Sequence, residues 1–107
     1  GKVNGERVRF LVDTGASDTV LSPADARRVG IDTATLRFDR PSETANGVGY
    51  GARFQADSLS VGTITFQDVP IIINQAPMSS SLLGMTFLRR LESFQVKDDR
   101  LYLTARE

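Results

Sequence analysis

Apolar and basic residues alternate near the start of the chain, and the pattern becomes apolar on both sides just before an aspartate. In residues 7–12 (Arg-Val-Arg-Phe-Leu-Val), apolar side chains recur at every second position before the run ends at Asp13. This alternation predicts a β-strand with one buried face. Asn4-Gly5, which follows Lys2-Val3, predicts a two-residue hairpin turn into that strand.

The pattern then predicts one short helix. Residues 19–21 (Thr-Val-Leu) are typical of a short buried strand. Ser22 is a suitable N-cap, Pro23 suits the first helical position, and an acid follows at Asp25. Gly30 comes after two arginines and is expected to end the helix.

From residue 36 onward the chain is mostly β in character. Short apolar segments separated by glycine, proline and polar residues are typical of strands joined by turns. The expectation is therefore an all-β fold with one or two short helices, in a single domain over residues 1–107. The predicted strands are 36–44, 52–61, 64–66 and 69–73, with a turn at 67–68, a second helix at 86–91 and a final hairpin of 94–97 with 101–104 across residues 98–100.

Composition excludes several kinds of chemistry. Lys plus Arg and Asp plus Glu both number 13, so no basic stripe stands out in the sequence, which argues against a nucleic acid partner. No apolar run is long enough to span a membrane, so no membrane contact is expected from this segment. Cysteine and histidine are absent, which removes thiol nucleophiles, Ser-His-Asp triads and Cys/His zinc sites. Catalysis here would have to be carboxylate chemistry or none. In the first case no metal or cofactor is expected.

Asp13-Thr14-Gly15 is the main candidate for that chemistry. An ionisable side chain directly after an aliphatic strand is costly to bury unless it is paired or hydrogen-bonded, so its presence indicates a use. The alternative is an ordinary turn, because Asp and Gly both favour turns and the tripeptide also arises by chance.

Four elements in the same order resemble the retropepsin-like aspartic proteases, in particular small bacterial single-domain members. Residues 10–21 resemble the strand and loop that carry the catalytic Asp, and the glycine-rich hairpin at 46–51 lies where that family has its flap. Residues 81–84 (Ser-Leu-Leu-Gly) resemble the second hydrophobic-hydrophobic-Gly motif, and 85–91 its short helix. The resemblance covers residues 3–104 and implies a closed β-barrel or sandwich with a flap hairpin.

A single Asp per chain predicts two chains. One carboxylate cannot both activate a water and supply a proton, whereas two carboxylates about 3 Å apart share one proton and divide these tasks. Asp13 is therefore expected to meet its symmetry mate in a twofold homodimer. The resemblance implies the same arrangement, an aspartic endopeptidase acting on a polypeptide substrate.

The resemblance also implies supporting roles, each with a plainer alternative. Thr14 and Gly15 would fix the two loops at the twofold axis, although Thr14 also suits a simple turn. The glycine-rich segment would form a mobile lid with an exposed tip around residues 48–51, although its glycines also suit a hairpin turn or bulges, and Tyr50 could pack against the sheet. The alternative for Asp18 is a surface carboxylate, and the alternative for the aliphatic residues is a place in the core. The expected substrate contacts are Ala16, Ser17, Asp18, Gly47, Val48, Gly49, Tyr50, Leu82 and Leu83, with Val20 and Ile72 as further pocket residues.

Two departures from the family pattern leave a second function open. Retroviral relatives have Asp at the position of Ser17 and Arg at that of Met85, where the two form an ion pair that supports the dimer. Its loss, with only 12 residues before Asp13, favours a retropepsin-like dimerisation or peptide-binding domain with little turnover. An unrelated β-rich binding module with a fortuitous motif is a third reading. Residues 101–104 are expected to supply an interchain sheet. The bacterial resemblance suggests a periplasmic or membrane-tethered location through a segment upstream of Gly1.

Overall fold

The computed structural model describes residues 1–44, 47–97 and 100–105. Strands dominate this part of the chain, accompanied by two short α-helices and one 3-10 turn at Thr33–Thr35. The strands are β1 (Lys2–Val3), β2 (Glu6–Arg7), β3 (Phe10–Val12), β4 (Val20–Leu21), β5 (Arg40–Thr44), β6 (Gly47–Val61), β7 (Ile64–Asn74), β8 (Ser81–Leu83), β9 (Leu91–Lys97) and β10 (Arg100–Ala105), and the helices are α1 (Pro23–Arg28) and α2 (Met85–Leu88).

Eight of these strands form one sheet in the order β2-β1-β6-β7-β4-β8-β3, with β5 paired to β6 outside that path. Most neighbours are antiparallel, but β3 pairs with β8 and β4 pairs with β7 in parallel. The sheet curls into a half-barrel, as in retropepsin-like folds. Strands β9 and β10 form a separate two-stranded sheet. The all-β prediction is confirmed.

The first predicted hairpin is confirmed, but the strand after it is divided. Asn4 and Gly5 have φ of 51° and 84°, which a two-residue turn between β1 and β2 requires. The predicted strand at 7–12 breaks at Val8, whose N–H donates to the carbonyl oxygen of Gly1 at 2.9 Å. The break exists because β2 pairs with β1, whereas β3 pairs with β8.

Both predicted helices are present. Ser22 Oγ accepts from the N–H of Asp25 at 3.1 Å, Pro23 begins α1, and Gly30 beyond its end has φ of 91°. The second helix is shorter than predicted and starts one residue earlier, at Met85.

Three predicted strand boundaries are wrong. The turn at 67–68 does not form; β7 continues through Asp68, at φ of 54°, because β6 pairs with it on both sides of that residue in one register. The 3-10 turn, capped by Asp32, ends just before the predicted strand at 36–44, and residues 36–39 that follow it form no strand, so β5 begins only at Arg40. Strand β6 begins at Gly47 rather than at 52. Asn46 and the Asp98-Asp99 turn lie outside the described residues.

The core lies between the curled sheet and the two helices. Its largest fully buried side chains include Phe87 and Leu88 of α2 and apolar residues of β4, β6, β7 and β8. Phe87 packs edge-on against Phe66, with ring centroids 5.4 Å apart. Within the described residues, no helix has the length and apolar character needed to cross a membrane.

Candidate active site

Asp13 lies at the carboxyl end of β3, directly beside β8. Its backbone N–H donates to the carbonyl oxygen of Leu83 at 3.0 Å, which continues the parallel pairing of Val12 with Leu83. Strand β8 lies between β4 and β3, so its pairing with β3 holds the Asp13 backbone against the sheet.

The chain turns sharply after Asp13. The N–H of Gly15 donates to Asp13 Oδ1 at 2.9 Å, and the N–H of Ala16 donates to the Asp13 carbonyl oxygen at 3.1 Å. Asp13 is half-buried, Thr14 and Gly15 are exposed, and Asp13 Oδ2 has no hydrogen-bond partner in the described part of the chain. The carboxylate therefore has one oxygen held in place and one available.

Residues 13–19, here called the Asp13 loop, are joined to the start of α2 by main-chain hydrogen bonds. The N–H of Met85 donates to the Ala16 carbonyl oxygen at 2.9 Å, and that of Thr86 donates to the Ser17 carbonyl oxygen at 2.8 Å. Ser17 and Met85 are the two positions that lack the charges of retroviral relatives. These two hydrogen bonds join the loop to the helix through main-chain groups, without an ion pair between residues 17 and 85.

Gly84 and Thr19 complete the junction. A Cβ on Gly84 would lie 2.1 Å from the Asp18 carbonyl oxygen, so only glycine fits there. The N–H of Gly84 donates to Thr19 Oγ1 at 3.2 Å, and Thr19 is fully buried. Sequence reasoning treated Thr19 only as a strand residue. The run of polar residues from Ser17 to Thr19 ahead of an apolar strand was the one available signal.

An apolar row crosses four strands beside Asp13. Leu11 pairs with Leu82, Leu82 with Val20, and Val20 with Ile72, so these side chains lie on one face of the sheet. Leu82, Val20 and Ile72 are half-buried, whereas Leu11 is 59% exposed. Leu11 was missed from sequence because it looked like one member of a buried strand.

Leu83, which was expected to contact substrate, lies in the core. It is 1% exposed, whereas its neighbour Leu82 is half-buried in the apolar row. The alternation of side chains along β8 explains the difference, because successive residues face opposite sides of a sheet.

Asp18 forms an ion pair with the first residue of β5, the strand that leads to the predicted flap. Its Oδ2 lies 3.3 Å from Arg40 Nη2, and Arg40 is the first residue of β5. Both side chains are about one-third exposed, so the contribution of this pair to stability is small, in the range of about 0–1 kcal/mol. Its geometric effect is to join the Asp13 loop to the base of the β5–β6 hairpin.

The β5–β6 hairpin differs from the predicted flap in where its strands end. Thr44 pairs with Gly47, so Gly47, Val48, Gly49 and Tyr50 lie within β6 rather than at an exposed tip. Gly51 is buried, and a Cβ there would lie 2.5 Å from Ile72 Cγ2, so this glycine permits close strand packing. Tyr50 is 46% exposed, which leaves its ring available for contact.

No group of acidic residues suitable for holding a metal ion occurs within residues 1–44, 47–97 and 100–105.

Comparison with known proteins agrees with this geometry. Residues 1–90 match the family described as "gag-polyprotein putative aspartyl protease". The chain is 38% identical over 102 residues to an uncharacterised protein of Sinorhizobium sp, covering 94% of this chain and 44% of that protein. It is 37% identical over 101 residues to an uncharacterised protein of Rickettsia prowazekii, covering 94% and 43%. The chain thus spans less than half the length of these curated relatives.

A solved structure gives the same assignment. The crystal structure of a retropepsin-like aspartic protease from Rickettsia conorii superposes with a TM-score of 0.80 at 35% identity, covering 94% of this chain and 82% of that one. The chain belongs to the retropepsin-like aspartic protease family.

Proposed function

We propose that this domain is an aspartic endopeptidase that hydrolyses peptide bonds with two Asp13 carboxylates, one from each chain of a homodimer. The observation that carries the proposal is the half-buried Asp13 carboxylate, with Oδ1 held by Gly15 and Oδ2 without a partner among the described residues. An aspartate in this state can exchange a proton with a water or a second acid.

The second carboxylate must come from another copy of the chain. Asp18, the other acid of the Asp13 loop, is already paired with Arg40. Thr14 and Gly15 are exposed in the single chain, which suits residues that meet their counterparts across a twofold axis.

The reaction then needs only one shared proton. Two carboxylates about 3 Å apart cannot both ionise, so one Asp13 is charged and the other is protonated. The charged carboxylate takes a proton from a water as that water attacks the scissile carbonyl carbon. The protonated carboxyl donates a hydrogen bond to the carbonyl oxygen and stabilises the charge that develops there. The C–N bond then breaks as the amine nitrogen takes the proton that the first carboxylate accepted from the water, which leaves the dyad with its one shared proton again. The pair would titrate as a unit.

The polypeptide substrate would lie in extended form between the apolar row and the β5–β6 hairpin. Leu11, Leu82, Val20 and Ile72 offer an apolar floor, and Leu11 is exposed next to the reacting group. Ala16, Ser17 and Asp18 would contact the peptide backbone. The hairpin would close over the peptide and exclude water, with Gly47 to Tyr50 on its inner strand.

A mixing experiment tests the shared dyad. Wild-type chain is replaced stepwise by Asp13→Asn at constant total concentration, and cleavage of a mixed peptide library is followed after subunit exchange. If each active site needs two intact chains, an equal mixture retains about one quarter of the activity, because only dimers of two wild-type chains are active. Asp57→Asn, which changes an exposed acid of β6, is the matched control, and its mixtures with wild-type chain should keep full cleavage activity.

A linear fall to about one half would show that one chain suffices and would contradict the shared dyad. The pH profile gives a second test, because the dyad loses its proton as the pH rises. Cleavage should be greatest under mildly acidic conditions, and a flat profile from about pH 4 to pH 9 would oppose the proposal.

We expect the C-terminal hairpin to form the interchain sheet. Strand β10 pairs only with β9, so its other edge has no strand partner among the described residues. We expect residues 101–104 to pair with the same strand of a second copy. Sedimentation of a chain that ends at Lys97 should show monomer at concentrations where the full chain is a dimer, and an undiminished dimer would refute this.

A peptide-binding or dimerisation domain with little turnover is the second candidate. The observation that favours it is the absence of the supporting charges at Ser17 and Met85. If this second function is right, the wild-type chain and Asp13→Asn would bind peptides equally well, and neither would cleave them.

A further inference from the structure

A groove of ≈ 1150 Å³ is lined by Leu11 but by no residue of the Asp13 loop. Its walls come from β1, from residues 7–11, from the β6–β7 turn, from α1 and from residues 79–80. Leu11 belongs both to this groove and to the apolar row beside Asp13. The groove therefore shares one exposed residue with the proposed peptide site without containing its carboxylate.

The charges that line the groove are unbalanced. Lys2, Arg7, Arg9 and Arg28 are its cations, and Asp25 is its one carboxylate. Asp25 Oδ1 lies 2.6 Å from Arg28 Nη2, so these two charges neutralise each other. Within the described part of the chain, the other three cations have no acidic partner. A chain with equal numbers of acidic and basic residues thus concentrates three unpaired positive charges here.

The backbone at the groove can also bind an extended chain. Strand β3 is the last strand of the sheet, so one of its edges has no strand partner in the described structure. Arg7 and Arg9 are two residues apart, and both are exposed, while Val8 between them is buried. Alternate side chains of an extended peptide face the same side about 7 Å apart, so such a peptide can offer several acidic groups to these two guanidinium groups.

We propose that this surface, the basic groove, binds an acidic, extended segment of a polypeptide at a distance from the bond to be cleaved. Free arginines supply charge complementarity, and the free edge of β3 supplies main-chain hydrogen bonds. The role of the groove in recruiting substrate rests on the proposed protease function, whereas the binding of an acidic peptide does not.

An acidic polypeptide fits the basic groove better than a nucleic acid does. Proteins that bind single strands combine a basic channel with exposed aromatic rings on which bases stack. Phe10 is the one aromatic residue in the groove lining and is half-buried. Three unpaired cations also provide few phosphate contacts.

The test measures binding in a chain that cannot cleave. A fluorescein-labelled peptide of twelve alternating glutamates and threonines is titrated with the Asp13→Asn chain, and anisotropy is recorded. A peptide with glutamine in place of glutamate is the neutral probe. We expect the acidic peptide to bind at least about tenfold more tightly than the neutral one, and this preference to weaken as salt is raised.

Matched variants locate the site. Arg7→Gln with Arg9→Gln should weaken binding of the acidic peptide about tenfold. Arg27→Gln with Arg37→Gln removes the same charge from exposed positions outside the groove and should leave binding within about twofold. Because all four arginines are exposed, both double variants should unfold at temperatures close to that of the parent chain.

The proposal would be overturned by equal binding of both peptides, by no effect of the groove variant, or by an equal effect of the control variant. It would also be overturned if a single-stranded oligothymidine of the same length bound more tightly than the acidic peptide and the groove variant lost that binding. A change in sedimentation mass on Arg7→Gln with Arg9→Gln would instead assign the groove to contact with a second copy, which also overturns it. If the acidic peptide binds but wild-type chain cleaves no peptide, the protease proposal fails and the groove proposal stands.

Discussion

Asp13 and Asp25 both follow short strands of the sheet, Asp13 directly after β3 and Asp25 four residues after β4, yet their surroundings differ. Both carboxylate oxygens of Asp25 have partners: Ser81 Oγ donates to Oδ2 at 2.6 Å, and Arg28 Nη2 lies 2.6 Å from Oδ1. Asp13 has only the N–H of Gly15 on Oδ1, and its Oδ2 has no partner in the described residues.

The difference separates a structural carboxylate, Asp25, from the carboxylate that we propose for the chemistry, Asp13. Asp25 connects α1 to the first residue of β8, and its neighbours lower its pKa. Burial alone would raise that pKa, but hydrogen bonds from Ser81, Arg28 and Ser22, with the positive charge of Arg28, outweigh burial. Such an aspartate is held as an anion. Asp13 is held in place by its main chain and keeps an oxygen for another group.

The largest expected effect comes from exchanging each carboxylate for an amide. Asp13→Asn should lower peptide cleavage by roughly 10²–10⁴-fold with little change in thermal unfolding, because the amide still accepts from Gly15. Asp25→Asn should lower the unfolding free energy by about 1–3 kcal/mol, because it weakens the hydrogen bonds that buried Ser81 and Arg28 donate to the charged carboxylate. Kinetics and thermal melts of both variants measure this. Equal effects of the two changes on both quantities would remove the distinction.

Gly84→Ala should disturb the main chain that supports Asp13. The added Cβ would lie 2.1 Å from the Asp18 carbonyl oxygen, so backbone has to move, at a cost of roughly 1–3 kcal/mol or more. Gly62→Asn is the control, because nothing lies near that position and Asn tolerates its φ of 62°. Urea unfolding compares the two. A Gly84→Ala chain as stable as the Gly62→Asn chain would show that the Asp13 loop is less tightly fixed.

Ser81→Ala tests the structural side of the comparison. Ser81 is fully buried, donates to Asp25, and accepts from the N–H of Ser22 at 3.0 Å. Its removal leaves two polar groups unsatisfied and should cost about 1–3 kcal/mol. Ser79→Ala, at an exposed position, should change stability by less than about 0.5 kcal/mol. If both variants unfold at the same urea concentration, the network does not stabilise the fold.

The smallest effect is the pH dependence that Asp25 contributes to stability. Its pKa in the folded chain is lowered, so its contribution is present above its unfolded pKa of about 4 and is lost as the pH falls through the folded value. The unfolding free energy, measured from about pH 6 down to pH 2.5, should therefore fall less steeply for Asp25→Asn than for wild type. Parallel curves would indicate that Asp25 has the same pKa in both states.

Local sequence signals predicted the elements that depend on neighbours along the chain. Asn4-Gly5 gave the first turn, and Ser22 with Pro23 gave the start of α1. These features depend on backbone φ and on capping by residues three positions away, which a sequence contains. The ordered motifs around Asp13 and Gly84 also identified the family.

Contacts between distant residues could not be read in the same way. Strand β7 crosses the predicted turn at Asp68 because β6 lies alongside it, and β6 begins at Gly47 because β5 pairs with it there. The sequence also showed no basic stripe, since Lys2, Arg7, Arg9 and Arg28 are brought together only by the fold.

By itself the sequence determined the class of protein and singled out Asp13 as the candidate for its chemistry, because turns, caps and an aspartate after an aliphatic strand are local patterns. Only the tertiary structure showed how the surroundings of the two acids differ. Ser81 lies 56 residues from Asp25 along the chain, and its contact occupies the second carboxylate oxygen of Asp25, whereas the second oxygen of Asp13 has no partner among the described residues. Such pairings depend on which strands become neighbours, and that is settled by burial of the whole core.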